Sequence, residues 1–524
     1  MIKELLLHHK PVPLSSFELS QANPSRIIAC PNPPIEAVQA GHAIAIESSR
    51  FNVRQIVKQL PFEPDLVSLS ARLMSFQPRG LSQLNCPTVM KLGDTFHFGD
   101  GGLSQMIRYC QQLDCDYHWT YQSPQHLHFF AESGLKNVFW LPVSIVLDFY
   151  VPPASEKLYD VVFRGSKSEL HWYRNYLLDR LDPCDAQTKD YISCLQDYAK
   201  AHIVVNTSLN GDLNRRVFEV LMAGGFLLTD RIRPQTGLFE LFEEGVHFEC
   251  YGNETELHEK IQFYLAHPEQ AAQIAATGHQ RFLDRYSPKA IQQKLYDYIF
   301  NYEIESLFQG DHDRRSQTTF NLQTRIQLYE LVQEIHRVYP ALNILCDRIS
   351  PEIVSDLADL SRSHLTYRLE PDQITEVQAA HIQAGIQNQI SLQQSLEAES
   401  TFQLILIDYA ESLQDSIAHL SDLGFLIVLN PRLITLQQLN RQLEQYYCFP
   451  IKLSVELFGR SYCLSLEGQG IVYRKIMPEG DSEKKDRVSN LAVKQISSEK
   501  VIKQQFKHLS IVRFAIDFLR SIRS

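Results

Sequence analysis

Short apolar runs alternate along this chain with stretches whose apolar residues recur at helical spacing. Up to about Pro153, the runs at Asp65–Ser70, Thr88–Leu92, Tyr117–Tyr121 and Val138–Val143 predict strands, and Val53–Leu60, Gly102–Leu113 and Gln125–Glu132 predict helices. Pro152-Pro153 punctuates the chain. A second block opens on YDVVFRGS (Tyr159–Ser166), a strand running into a glycine turn, and continues with a helix pattern in LHWYRNYLLDRL. It then gives a strand at His202–Asn206, a polar loop at Thr207–Asn214, a helix at Arg215–Ala223, the helix-stopping pair Gly224-Gly225 and a strand at Phe226–Thr229. Helices are expected at Thr255–Leu265, Pro268–Arg285 and Pro288–Tyr302, and the polar segment Leu307–Thr319 reads as a linker. Strands follow at Phe402–Ile407, Phe425–Leu429 and Ile451–Leu457. Ile471–Lys475 is expected to pair with Arg460–Leu466 as a hairpin through Gly468-Gln469-Gly470. Strand–helix alternation of this kind predicts an α/β fold with parallel sheets. The expected Rossmann-like blocks span 1–152, 153–305 and 320–478, and 479–524 forms a charged linker and an amphipathic helix.

Composition narrows the function classes. A chain of 524 residues exceeds the size of one core and implies several domains. Its net charge of -11 opposes binding to phosphate backbones, so nucleic acid is not an expected partner. The opening MIKELLLHHKPVP has only the apolar run Leu5–Leu7, too short for a secretory signal, and no stretch is long enough to span a bilayer. The ten cysteines are scattered without a C-x-x-C pair. That favours free thiols in the cytoplasm over a disulfide framework or a metal site.

The segment richest in chemistry is AHIVVNTSLNGDLNRRVFEVLMAGGFLLTDR, Ala201 to Arg231. In open α/β sheets ligands sit at the carboxyl ends of strands, so Thr207–Asn214, including Asn210, and the first turn of the next helix should face a crevice. A helix N-terminus suits a diphosphate, Arg215 and Arg216 add cations, and Glu219 could accept hydrogen bonds from a ribose diol. Taken singly, each has a plain structural reading: Glu219 as the i,i+4 partner of Arg215, Asp230 as the cap of a turn.

The stretch resembles group 1 glycosyltransferases of GT-B fold, in the branch of spore-protein glycosyltransferase-like sequences. The matching pattern is Arg216, Phe218, Glu219, Ala223 and Gly224, continued by the segment from LFELFEEGVHF to the helix break at Tyr286 and preceded by YDVVFRGS. The resemblance implies two facing Rossmann-like domains and a hexosyltransferase-like enzyme. Such an enzyme takes a nucleotide-sugar donor as substrate, an unidentified hydroxyl of a polysaccharide, lipid or protein as acceptor, and no further cofactor. It implies that Glu219 holds the ribose, with Arg164, Gly165, Lys167 and Arg216 toward the diphosphate. The chain departs from the family pattern eight residues before Glu219, where many retaining members carry a glutamate and this one carries Gly211 beside Asp212.

In the first block, KLGDTFHFGDGG (Lys91–Gly102) follows a strand and offers Asp94 and His97 as general base for the acceptor hydroxyl. The alternative is a glycine-rich turn in which Asp94 caps and His97 packs. His126 and His128 lack partners at metal-ligand spacing. Phe402–Pro431 and the terminal GQGIVYRK resemble late strands of class I S-adenosylmethionine-dependent methyltransferases. The candidate first strand, Ala341–Ser350, lacks the glycine loop that packs against that cofactor, which favours a degenerate domain. Three functions therefore stand side by side: glycosyl transfer, methyl transfer through the last block, and a non-catalytic nucleotide-sugar-binding scaffold. Val501–Ile522 is a basic amphipathic helix that either completes a core or rests on the inner face of a membrane.

Overall fold

The computed structural model describes residues 2–12, 25–70, 76–93, 102–121, 124–142, 154, 156–167, 172–182, 184–209, 211–310 and 321–337, and most of 341–475. Asp94, His97, Asn210 and the tail Val501–Ile522 lie outside the described residues. The chain divides into two compact units, one of residues 1–166 with 176–315, the other of 167–175 with 316–524.

The first unit holds two large parallel sheets and a two-stranded parallel one, Arg50–Asn52 with Gln77–Arg79. The first has seven strands: β1 (Glu4–His8), β2 (Arg26–Cys30), β3 (Ala43–Ala45), β4 (Leu66–Ser70), β5 (Thr88–Leu92), β6 (Tyr117–Thr120) and β7 (Val138–Trp140), in the order β3-β2-β1-β4-β5-β6-β7. Every pairing is parallel. The sequence pattern anticipated the last four of these strands and missed the first three. Leu5–Leu7 is the middle of an interior strand, and all three leucines are buried, as expected where helices cover both faces of a parallel sheet. The strand was overlooked because a three-residue apolar run carries no period that separates strand from helix.

Buried charges sit within this core. Glu4 receives Arg26 at 2.8 Å, the Ser68 hydroxyl at 2.7 Å and the Tyr296 hydroxyl at 3.1 Å. Burial pushes the carboxyl's pKa up, but Arg26, Lys91 and Ser68 outweigh it and hold the value at about 2.

The second sheet has five strands: β8 (Tyr159–Arg164), β9 (Asp185–Gln187), β10 (Ala201–Asn206), β11 (Leu227–Asp230) and β12 (Glu249–Tyr251), ordered β9-β8-β10-β11-β12 and parallel throughout. The helices that bear on the site are α1 (Tyr191–Lys200) and α2 (Arg215–Met222). After α3 (Glu254–Ala266) and α4 (Pro268–Arg285) the chain enters α5 (Pro288–Tyr296) and returns to the first sheet. There the Tyr298 ring packs on Tyr117 and Phe139, and Phe308 packs on Trp140. Residues 307–308, expected to begin a linker, are thus part of this packing, because Phe308 is an apolar anchor within an otherwise polar run.

The second unit carries a seven-stranded sheet. Its strands are β13 (Leu342–Asp347), β14 (Ser363–Arg368), β15 (Ile390–Gln393), β16 (Phe402–Ile407), β17 (Leu420–Leu429), β18 (Cys448–Pro450) and β21 (Gly470–Lys475), where β19 (Leu453–Leu457) and β20 (Arg460–Leu464) form a separate pair. The order is β15-β14-β13-β16-β17-β21-β18, with β21 antiparallel to both neighbours. The hairpin expected between Arg460–Leu466 and Ile471–Lys475 does not form. Val472 and Tyr473 are buried between β17 and β18 instead, where they gain more apolar contact than a two-stranded ribbon provides. Among the described residues no helix is long and apolar enough to cross a membrane.

Candidate donor-binding crevice

Strand order in the second sheet reverses between β8 and β10, which opens a crevice at their carboxyl ends. Its two lips are Arg164-Gly165 and Asn206-Thr207. The lip after β10 is cross-braced. Asn206 Nδ2 donates to Thr229 Oγ1 at 2.9 Å, and the Tyr251 hydroxyl lies 2.9 Å from the Asn206 carbonyl and 2.6 Å from Thr207 Oγ1. Asp230 accepts from Ser208 through both the backbone N–H, at 2.8 Å, and the hydroxyl. Gly211 turns at a φ of 76° and donates to Ser208 Oγ at 3.1 Å. Asp230 is therefore the cap of this loop, and Asp212 braces it by accepting from Leu209 N at 3.2 Å.

Asn214 caps α2 by accepting from Arg216 N at 3.1 Å, so the helix begins at the crevice with its free N–H groups toward the mouth. Arg216 spans the crevice. Its Nε donates to the Arg164 carbonyl at 2.8 Å, one terminal nitrogen donates to Asn206 Oδ1 at 2.7 Å, and the guanidinium lies 4.3 Å from the Phe163 ring centroid. The other terminal nitrogen crosses Gly165, where a Cβ would stand 2.2 Å from it. Glu219, one turn further along α2, pairs with Arg215 at 3.2 Å and is 17% exposed. Arg215 in turn lies 5.4 Å from the Tyr191 ring centroid on α1. Burial, then the charge of Glu219, pushes the Tyr191 hydroxyl up to about 12, against the pull of Arg215.

Arg164 does not line the crevice as the sequence suggested. Its side chain is fully buried beneath the lip, with Nε on Asp197 at 2.5 Å and a terminal nitrogen on Asp185 at 2.9 Å. Another terminal nitrogen reaches the Asp185 carbonyl at 2.5 Å. With a further bond to the Phe163 carbonyl, four of the guanidinium's five donors are engaged, which suits a support for β8 better than a phosphate ligand. Asp185, Asp197 and Lys189, which also binds Asp197 at 2.6 Å, belong to no motif, so spacing alone could not have found them. Gly165 and Arg216 meet at the lip of the crevice. Lys167 falls in the segment that groups with the second unit, and Asn210 lies outside the described residues.

The carboxyl ends of the first sheet face this crevice. Trp140, at the end of β7, packs on Gly237, which follows β11 at a φ of 81° and has no room for a side chain: a Cβ would stand 2.3 Å from the indole. Tyr121, just after β6, lies close enough to Arg215 to raise its pKa, and its hydroxyl occupies the space above Gly93. In the third sheet the equivalent reversal, between β13 and β16, is filled from within. Arg368, at the end of β14, binds Asp347 at 2.8 Å and Ser416 at 2.9 Å and also meets Asp415.

No curated protein sequence matches the chain. Among solved structures, Anabaena HepE in complex with UDP and glucose is 14% identical, with a TM-score of 0.40 over 57% of this chain and 100% of that one. Sucrose-phosphate synthase from Thermosynechococcus elongatus is 12% identical, with a TM-score of 0.40 over the same shares. The ribosomal protein L11 methylase of Lactobacillus delbrueckii is 18% identical, with a TM-score of 0.23 over 30% of this chain and 81% of that one. Residues 159–297, the part of the chain that builds the crevice, match the family model described as glycosyl transferase-like.

Proposed function

We propose that the first unit is a glycosyltransferase that moves a hexosyl group from a nucleotide-sugar donor to a hydroxyl acceptor. The observation that carries this reading is the Arg216 guanidinium held across Gly165 at the strand reversal, beside the N-terminus of α2. Fixed cation, helix terminus and side-chain-free backbone together suit a diphosphate leaving group, whose developing charge they would stabilise. Glu219 lies on the same helix, placed to accept two hydrogen bonds from a ribose once it shares or leaves Arg215. The family match over residues 159–297 supports the same chemistry.

We read the third sheet as a degenerate domain. A cofactor seated at its strand reversal would have to displace the Arg368–Asp347 pair, and removing a partner from a buried pair costs several kcal/mol. Incubation of the full chain with a panel of UDP-, GDP-, ADP- and dTDP-hexoses, with release of nucleoside diphosphate as readout, tests the proposal. Binding of a nucleotide with no release from any of these donors would instead favour the scaffold reading.

A further inference from the structure

The arginine pair that opens α2 is held in two opposite ways. Arg216 is fixed, tied across the crevice to the Arg164 carbonyl at 2.8 Å and to Asn206 Oδ1 at 2.7 Å. Arg215, the first residue of the helix, is not. Its side chain is 45% exposed and meets Glu219 one turn on, at 3.2 Å, while the Tyr191 ring flanks it at 5.4 Å. Among the described residues this is the one ion pair of the Glu219 carboxylate. The group that suits a ribose diol is therefore already engaged by a cation.

Helix energetics do not favour this pair. A cation at the first position of a helix faces the partial positive charge of its N-terminus. The order is also the weaker one, because an i,i+4 pair gains more when the carboxylate comes first and the cation second. Exposure to water screens the attraction that remains. Side chains on a helix lean toward its N-terminus, so a rotation that leaves Glu219 carries the guanidinium toward the mouth of the crevice. A diphosphate seated at the start of α2 reverses these costs. It neutralises the cation at the helix end, and its oxygens match the paired donors of a guanidinium.

We propose that Arg215 is a latch on Glu219 that the donor's diphosphate opens, so that ribose recognition is coupled to phosphate recognition. The coupling rests on the donor-site reading above. A diphosphate draws Arg215 off Glu219, and the released carboxylate accepts from the ribose hydroxyls. A nucleoside without phosphates has to break the same pair and offers Arg215 no partner in return. The crevice thus discriminates against nucleosides beyond the loss of the phosphate contacts themselves.

The test is calorimetry on the full chain with UDP, GDP, ADP and dTDP. The nucleoside of each diphosphate that binds is then titrated by displacement of that diphosphate. Arg215→Met keeps an apolar stem against Tyr191 and removes the charge. It is expected to weaken the diphosphate about tenfold or more and to tighten the matching nucleoside about twofold, the strength of an exposed i,i+4 pair. In a Glu219→Ala background the nucleoside gain should vanish, because no pair is left to break. Arg215→Gln carries the same expectations should Arg215→Met fail to fold. Nucleoside affinity that is unchanged or lowered in the variant overturns the latch. With the diphosphate loss intact, that result makes Arg215 a phosphate ligand only; with both ligands unmoved, it makes Arg215 a residue of the helix surface. A nucleoside gain that persists without Glu219 overturns the latch too, as does a nucleoside that displaces nothing from the variant. Each of these leaves the donor-site reading standing. A parent that binds none of the four diphosphates overturns that reading first, and the latch with it.

Discussion

The guanidinium of Arg216 lies where a side chain on residue 165 would begin: a Cβ at Gly165 would stand 2.2 Å from its terminal nitrogen. Backbone and cation share one volume at the crevice, so neither can be changed without moving the other. Gly165→Ala should therefore strain the backbone, which holds a φ of 158° there, and, because the far end of a flexible side chain can give way, swing Arg216 off Asn206. The expected result is a Tm within a few degrees of the parent and nucleotide affinity lowered at least tenfold, read by calorimetry with UDP and GDP.

Glu219→Ala probes the ribose contact. Losing two hydrogen bonds to a carboxylate costs on the order of 3 kcal/mol of binding, more than a hundredfold in Kd. The variant also loses the Arg215 pair, but that i,i+4 contact is partly exposed and contributes only about 0.5 kcal/mol to stability. Affinity unchanged for every nucleotide that the parent binds would remove Glu219 from the site.

Acid stability should report Glu4. Its folded pKa of about 2 lies below the ordinary value of 4.5, so its contribution is complete above pH 4.5 and is lost as pH falls toward 2. The linkage amounts to roughly 3 kcal/mol. Denaturant melts of the parent between pH 5 and pH 2.5 should lose stability over this range, and Glu4→Gln, less stable at pH 7, should lose less. Parallel pH dependence in the two chains would show that the carboxylate does not titrate as described.

In the third sheet, Arg368→Ala leaves Asp347 buried and unpaired, a loss of about 3–5 kcal/mol. Replacing both partners by Arg368→Met and Asp347→Leu removes the charge as well as its partner and should recover most of that stability. Neither the parent nor the double variant is expected to bind S-adenosylmethionine by calorimetry. A double variant as unstable as Arg368→Ala would show that the pair acts through its hydrogen bonds to Ser416 and Asp415 rather than through charge balance.

What could be read in advance followed the strength of local periodicity. The segment Ala201–Arg231 announced itself through a glycine-flanked helix and a basic pair, and its strand, loop, helix and strand came out within a residue or two of expectation. Arg164 was misjudged because its spacing from Gly165 says nothing of Asp185 and Asp197, whose carboxylates arrive from 21 and 33 residues away. β1 escaped because Leu5–Leu7 is short and His8-His9 resembles an exposed polar end. Only the register with β2 and β4 shows that the strand is interior. The antiparallel insertion of β21 was hidden for a related reason: the Gly468-Gln469-Gly470 turn proposes a local partner, while Val472 and Tyr473 bury among strands distant in sequence.

The return of the chain onto the first sheet also bears on how the protein is made. Tyr296, Tyr298 and Phe308 cover Glu4, Tyr117, Phe139 and Trp140, yet they leave the ribosome some 170 residues after β7. At ordinary elongation rates the nascent first sheet waits roughly 10 to 30 s for them. Through that interval its aromatic edge and the Glu4 carboxylate stay open to water, and the growing polypeptide presents a binding surface to chaperones that the finished protein no longer has.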